Sequence, residues 1–258
     1  VTKIYYFSGT GNSLWSARKI AEAIGDECAL INIGLEAGKD KLPVEADAVI
    51  LVFPSYAFGL PLAVRRFAIN AVFKTPYLAA FITNGSTPGG TAASLSRILK
   101  RKGIGALYFG LIPAVENYIA IFGPPKEETE RRRLEMQRKA TEEAVRCVME
   151  RRVNRVNTFR PVSAFIWLLF SLGVKIFYKR YWVSDDCDSC CICEKVCPVS
   201  AVSMRGEPGK ARPVFSAKCE HCQGCLNWCP KRAIHFGRLN SSVARYHHPE
   251  ISLRDMSR

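Results

Sequence analysis

Nine of the eleven cysteines fall between Cys187 and Cys229, while Cys28 and Cys147 stand alone. Cys187, Cys190, Cys193 and Cys197-Pro198 spell C-x2-C-x2-C-x3-C-P. Cys219, Cys222, Cys225 and Cys229-Pro230 spell it again. Three thiolates in one tight loop can cap three irons of a cubane, while the helix that follows carries a fourth away. Structural zinc takes two separated pairs of ligands, so cysteines at i, i+3 and i+6 suit it poorly. The doubled spacing predicts iron–sulfur chemistry. An odd number of cysteines also suits thiols in a reducing compartment better than a secreted disulfide scaffold.

A second pattern lies near the start. Ser8-Gly9-Thr10-Gly11-Asn12-Ser13 follows a strand-like run and opens a helical one. Backbone N–H groups at a helix N-terminus, flanked by hydroxyls, make an anion cradle. The loop lacks the Gly-Lys-Ser/Thr ending of a triphosphate-binding loop, and it is not G-x-G-x-x-G with a following acid, which disfavours NAD. Hydroxyls and amides must therefore bind the phosphate, as suits FMN. Two further loops follow apolar strands: Pro54-Ser55-Tyr56-Ala57-Phe58-Gly59-Leu60-Pro61 and Thr83-Asn84-Gly85-Ser86-Thr87-Pro88-Gly89-Gly90. Open α/β sheets bind ligands at such carboxyl ends. Tyr56 and Phe58 can stack on a flavin ring, or simply pack the loop. Gly85, Gly89 and Gly90 let the backbone approach the ring's polar edge. Asn117-Tyr118 can border it.

Together the three loops resemble the flavodoxin family over residues 1–150, and the cysteine region resembles the bacterial two-cluster ferredoxins over about 55 residues. The second resemblance implies crossed ligand sets. Cys187, Cys190, Cys193 and Cys229 would hold one [4Fe-4S] cluster, and Cys219, Cys222, Cys225 and Cys197 the other. Cys191 stands where that family usually has a small residue, and is read as a free thiol.

The elements that must position these residues are legible from pattern. Strands are expected at residues 2–7, 30–33, 48–53, 78–83 and 106–112, with helices at 14–24, 62–72 and 91–102. Strands alternating with helices indicate a parallel sheet. Residues 126–152 read as a long polar helix with i,i+4 pairs such as Glu135–Lys139 and a thin apolar stripe (Leu134, Ala144, Val145, Val148) covering one sheet edge. Residues 162–174 are apolar on all sides. They read as a helix packed between two domains, with a membrane-surface or partner-docking helix as the alternative.

The expected fold is a flavodoxin-like, doubly wound parallel five-stranded sheet followed by a small α+β two-cluster ferredoxin domain. The expected bounds are 1–155 for the FMN domain, 156–183 for the connecting helix, 184–240 for the ferredoxin domain and 241–258 for the tail.

The net charge is +14, from 37 Lys+Arg against 23 Asp+Glu. Half of it sits in residues 126–183, which carry 14 basic and 7 acidic side chains. That steers an acidic redox partner. The arginines Arg131, Arg132, Arg133, Arg151, Arg152 and Arg155 come without a nucleic-acid motif, so no nucleic-acid partner is expected. No run reaches 18 consecutive apolar residues, and residues 1–7 read as a strand rather than a secretory signal, giving a cytoplasmic expectation. The whole chain resembles the family of flavodoxin-like domains fused to a two-cluster ferredoxin. That implies an electron-transfer flavoprotein passing electrons between two clusters and FMN for a partner redox protein. The alternative is a ferredoxin-dependent flavoenzyme reducing a small substrate at the FMN. No His, Cys or carboxylate constellation near the flavin loops marks a proton donor, and oligomeric state is not legible.

Overall fold

A computed structural model describes residues 1–25, 27–104, 107–156, 160–238 and 242–257. The first part of the chain runs β1 (Thr2–Tyr6), α1 (Asn12–Ile24), β2 (Cys28–Asn32), α2 (Ile33–Glu36), β3 (Pro43–Glu45), β4 (Ala48–Pro54) and α3 (Leu62–Asn70). It continues through β5 (Val72–Lys74), β6 (Leu78–Asn84), α4 (Thr91–Arg101), β7 (Leu107–Pro113), α5 (Ile119–Phe122), α6 (Glu127–Met149) and α7 (Pro161–Phe177). Five strands form one parallel sheet in the order β2-β1-β4-β6-β7. Counted within the sheet, this is the flavodoxin-like order 2-1-3-4-5. Ala106, the expected start of the fifth strand, lies outside the described residues, as do 157–159 in the expected connector and 239–241 at the expected tail boundary.

The side-chain period of two splits each strand between two cores. Tyr5, Leu51 and Phe53 face α3 and α4 with Val64, Phe67, Leu95 and Leu99. Ile4, Ile50 and Val52 face α1 and α6 with Ile20, Ala144 and Val148. Because both faces are covered, Ala48 to Phe53 is a continuous buried apolar run. Helix α6 packs on α1 and on the edge strand β7. Part of its buried contact with α1 is polar. Gln137 Nε2 donates to Asn12 O at 2.9 Å, and Thr141 and Ser16 hydroxyls meet at 3.0 Å. The short parallel pair β3–β5 was not expected from pattern.

The rest comprises β8 (Tyr181–Val183), α8 (Ile192–Lys195), β9 (Val202–Arg205), β10 (Arg212–Phe215), α9 (Gly224–Asn227), β11 (Ile234–Phe236) and α10 (Leu253–Met256). Strands β8–β11 and β9–β10 pair as two small antiparallel sheets. The expected two-cluster ferredoxin domain is not evident. These residues instead close over the first part of the chain. Trp228, Val196, Ile251 and Met256 share a core with Leu14 and Trp15 of α1. Trp228 Nε1 donates to Gly9 O at 3.2 Å, and Tyr246 Oη donates to Asn12 Oδ1 at 2.7 Å.

Helix α7 differs most from expectation. One stripe (Ser163, Trp167, Phe170, Ser171, Val174, Phe177) is buried or half-buried, and the other face is open. Within the 20-residue stretch Pro161–Arg180 an 18-residue window has a mean hydropathy of 1.6, long and apolar enough to cross a membrane although it is not an unbroken apolar run.

Candidate functional site

A cavity of about 680 Å³ opens at the carboxyl ends of β1, β4, β6 and β7. The three loops expected to bind a flavin all reach it. Ser8, Gly9, Thr10, Asn12, Ser13, Pro54, Ser55, Tyr56, Ala57, Phe58, Asn84, Gly85, Ser86 and Thr87 line it. Gly11, Gly59, Gly89 and Gly90 of the same loops do not line it. Gly89 is one that must be glycine, because its φ is +55° and a Cβ there would meet Phe58 Cβ at 2.3 Å.

The hydroxyls of the first loop are buried and partly committed. Ser8 Oγ accepts from Gly11 N at 3.1 Å, leaving its own O–H to donate. Thr10 Oγ1 accepts from Asn117 Nδ2 at 2.7 Å and keeps its O–H in the same way. Ser13 and Thr83 share one hydrogen bond at 2.7 Å, so one of their two protons remains free. No side chain caps α1, and no acidic residue stands in its first turn. The helix therefore presents unpaired N–H groups and the positive end of its dipole to the cavity.

The second loop is held in a strained form. Ala57 and Phe58 have φ of 46° and 65°, uncommon for residues with a Cβ. The Tyr56–Gly59 backbone bridge, the Gly90 N to Phe58 O bond and the Ser55–Thr91 hydroxyl contact fix it. This turn leaves Tyr56 Oη buried without a hydrogen-bond partner. Asn84 Oδ1 and Gln223 Oε1 are in the same condition, and all three residues line this cavity. An unsatisfied buried polar atom is costly. Three of them around one cavity, next to free hydroxyls and a bare helix end, are what a phosphate-bearing, hydrogen-bonding ring system would satisfy. The residues present fit FMN by that criterion.

Pattern reasoning missed the opposite wall. Tyr118 Oη lies 2.7 Å from His221 Nε2, and Tyr181 Oη lies 2.9 Å from His221 Nδ1. Gln223 Nε2 donates to Tyr181 Oη at 3.0 Å. Burial pushes His221 down to about 4 and Tyr118 up to about 12, so the imidazole is neutral and the phenol protonated at pH 7. Glu116, Arg180 and Cys222 also reach the cavity. A His and a carboxylate therefore do stand near the flavin loops, contrary to expectation. Only the neighbouring Asn117-Tyr118 carried a sequence signal. His221 is 103 residues from Tyr118, and no local pattern joins them.

All eleven cysteines are free thiols. Cys187, Cys190, Cys193 and Cys229 line one small pocket together with Cys191. Cys197, Cys219, Cys222 and Cys225 are near enough to influence one another's ionisation. Among the described residues, however, no group of three or more His, Cys, Asp or Glu side chains is placed to hold a metal ion. The two [4Fe-4S] clusters, the fused-ferredoxin family and the electron relay between clusters and FMN are corrected on this ground. Spacing brings sulfurs to one neighbourhood. Ligation needs each of them at a fixed place about one centre, beside its own iron in a cubane. Several sulfurs accept backbone bonds, as Cys197 Sγ does from Ala201 N at 3.1 Å and Cys229 Sγ from Ala233 N at 3.3 Å.

No protein-family model matches the chain, and no curated protein matches it. Among solved structures, it is similar to an azoreductase from Bacillus anthracis str. Sterne, with 11% identity and a TM-score of 0.38 over 57% of this chain and 98% of that one. It is also similar to the azoreductase AzrA, with 13% identity and a TM-score of 0.36 over 57% and 98%. Likeness at this level carries no argument. The strand order and the cavity at its switch point make the chain a flavodoxin-like α/β protein.

Proposed function

We propose that the chain is an FMN-binding redox flavoprotein. The observation that carries this reading is the meeting, in one cavity, of a bare helix N-terminus, free buried hydroxyls and three unpartnered polar atoms. Ser8, Thr10 and Ser13 donate to the phosphate with the first N–H groups of α1. Tyr56 and Phe58 flank the ring, and Asn84 to Gly90 face its polar edge. When bound, FMN supplies a ring that takes up one or two electrons. Tyr118 and His221 hold a proton between Oη and Nε2 on the same cavity wall. The cavity falls within the range of about 300–1,000 Å³ typical of cofactor sites.

The test is reconstitution of the full chain with FMN, followed by its visible spectrum and flavin quantitation after desalting. Saturation at one FMN per chain is the expected result. A chain that retains no flavin would overturn the reading.

A further inference from the structure

The open face of α7 is a continuous apolar stripe. Val162, Phe165, Leu169, Leu172 and Ile176 recur at helical spacing, and Val162, Leu169 and Ile176 are 71%, 54% and 60% exposed. The stripe runs about 21 Å along the helix. Soluble proteins rarely leave such a patch uncovered. The opposite face is committed to the protein. Trp167 Nε1 donates to Leu60 O at 2.7 Å, and Ser171 and Val174 are buried. So the helix lies flat on the domain, with its apolar side outward.

Charge indicates what covers it. Residues 151–184 hold seven Lys and Arg and no Asp or Glu. Arg160 stands at one end of the stripe and Lys175 and Lys179 at the other, all exposed. An apolar stripe framed by cations suits a surface with acyl chains beneath a layer of anionic phosphates. A neighbouring feature extends it. Ile121 and Phe122 on α5 are 66% and 67% exposed, and they share the cavity mouth with Phe170 and Phe177 of α7.

We propose that α7 docks the protein on an anionic membrane surface, lying in the interface rather than crossing it, with the cavity mouth beside the lipid. The proposal stands independently of what the cavity binds. An acidic protein partner or a second copy of the chain on this face would be a different occupant, and the test separates them.

The full chain is mixed with vesicles of phosphatidylcholine containing one part in four phosphatidylserine, and binding is read by co-sedimentation. The expected result is binding that weakens about tenfold or more on pure phosphatidylcholine and on raising salt from 0.1 to 0.5 M. Phe165→Glu with Leu169→Glu should abolish it while leaving the circular dichroism spectrum and melting temperature unchanged, since both side chains point outward. Lys175→Glu with Lys179→Glu should weaken it about tenfold with the apolar stripe intact. Absence of binding to the anionic vesicles would overturn the proposal. So would equal, salt-insensitive binding to neutral vesicles, or a dimer in solution that Phe165→Glu with Leu169→Glu dissociates.

Discussion

A phosphate cradle and a metal centre ask different things of a fold. In the first half of this chain, parallel strands deliver their carboxyl ends to one edge, so the loops after β1, β4 and β6 must meet. Hydroxyl and amide donors then tolerate some variation in how they reach an anion. In the cysteine-rich half, sulfurs must take fixed places about one centre, and among the described residues no group of three is placed to hold a metal ion. Topology guarantees the first arrangement. Spacing along the chain does not guarantee the second.

The two halves nonetheless depend on each other, and the largest expected effect lies at their contact. Glu220 is buried, beside Cys219, and Arg66 Nη2 of α3 reaches it at 2.8 Å. Arg66→Ala removes the charge partner of that carboxylate, leaving it the backbone bonds from Leu62 and Ala63, and should cost about 2–3 kcal/mol in urea unfolding. Glu220→Gln in the same background should recover much of it. A cost near zero would show that the cysteine-rich half sits on the sheet domain without being coupled to it.

Next is Gly9→Ala. A Cβ there would fall 2.5 Å from Cys222 O, a backbone atom that cannot yield cheaply. We expect a loss of about 2 kcal/mol in stability, together with weaker flavin retention. If only stability falls, the loop does not hold the phosphate.

Thr10→Ala should weaken FMN binding by about 1.5 kcal/mol through one lost charge-assisted bond, and should cost about 1 kcal/mol in stability through the lost bond from Asn117 Nδ2. Isothermal titration of each protein with FMN measures this. An unaltered affinity would place the phosphate elsewhere.

The smallest effect is a pH dependence. His248 is buried against Trp15, its Nδ1 accepts from Glu250 N at 3.2 Å, and burial lowers it from 6.5 to about 4. The unfolded chain therefore binds the extra proton within that window. Stability from this group is complete above pH 6.5 and is lost as pH falls towards 4. His248→Gln should flatten the decline in melting temperature between pH 7 and pH 5.5 by the equivalent of about 1 kcal/mol. A decline unchanged by the substitution would remove His248 as its source.

Much of the first half was legible because its signals are local. Ala48 to Phe53 reads as a two-sided buried strand, and Ser8 to Ser13 reads as a loop opening a helix. The strand pair β3–β5 was not legible, since Pro43–Glu45 and Val72–Lys74 are three residues each, lie far apart in the chain and pair as a separate two-stranded sheet. The Tyr118–His221–Tyr181 wall was hidden for a related reason: its partners come from α5's flank, β8 and the cysteine loop, and only tertiary folding joins them. The apolar character of residues 162–174 was plain, but which side faced the protein depended on Trp167 finding Leu60 O.

The central claim is that the α1 end of the cavity is a phosphate cradle for a flavin. The most direct measurement compares FMN with riboflavin, which has the same ring and no phosphate, by fluorescence titration of the full chain. The account predicts FMN tighter by about 100-fold, from roughly two charge-assisted hydrogen bonds. Equal affinities for the two flavins would contradict it.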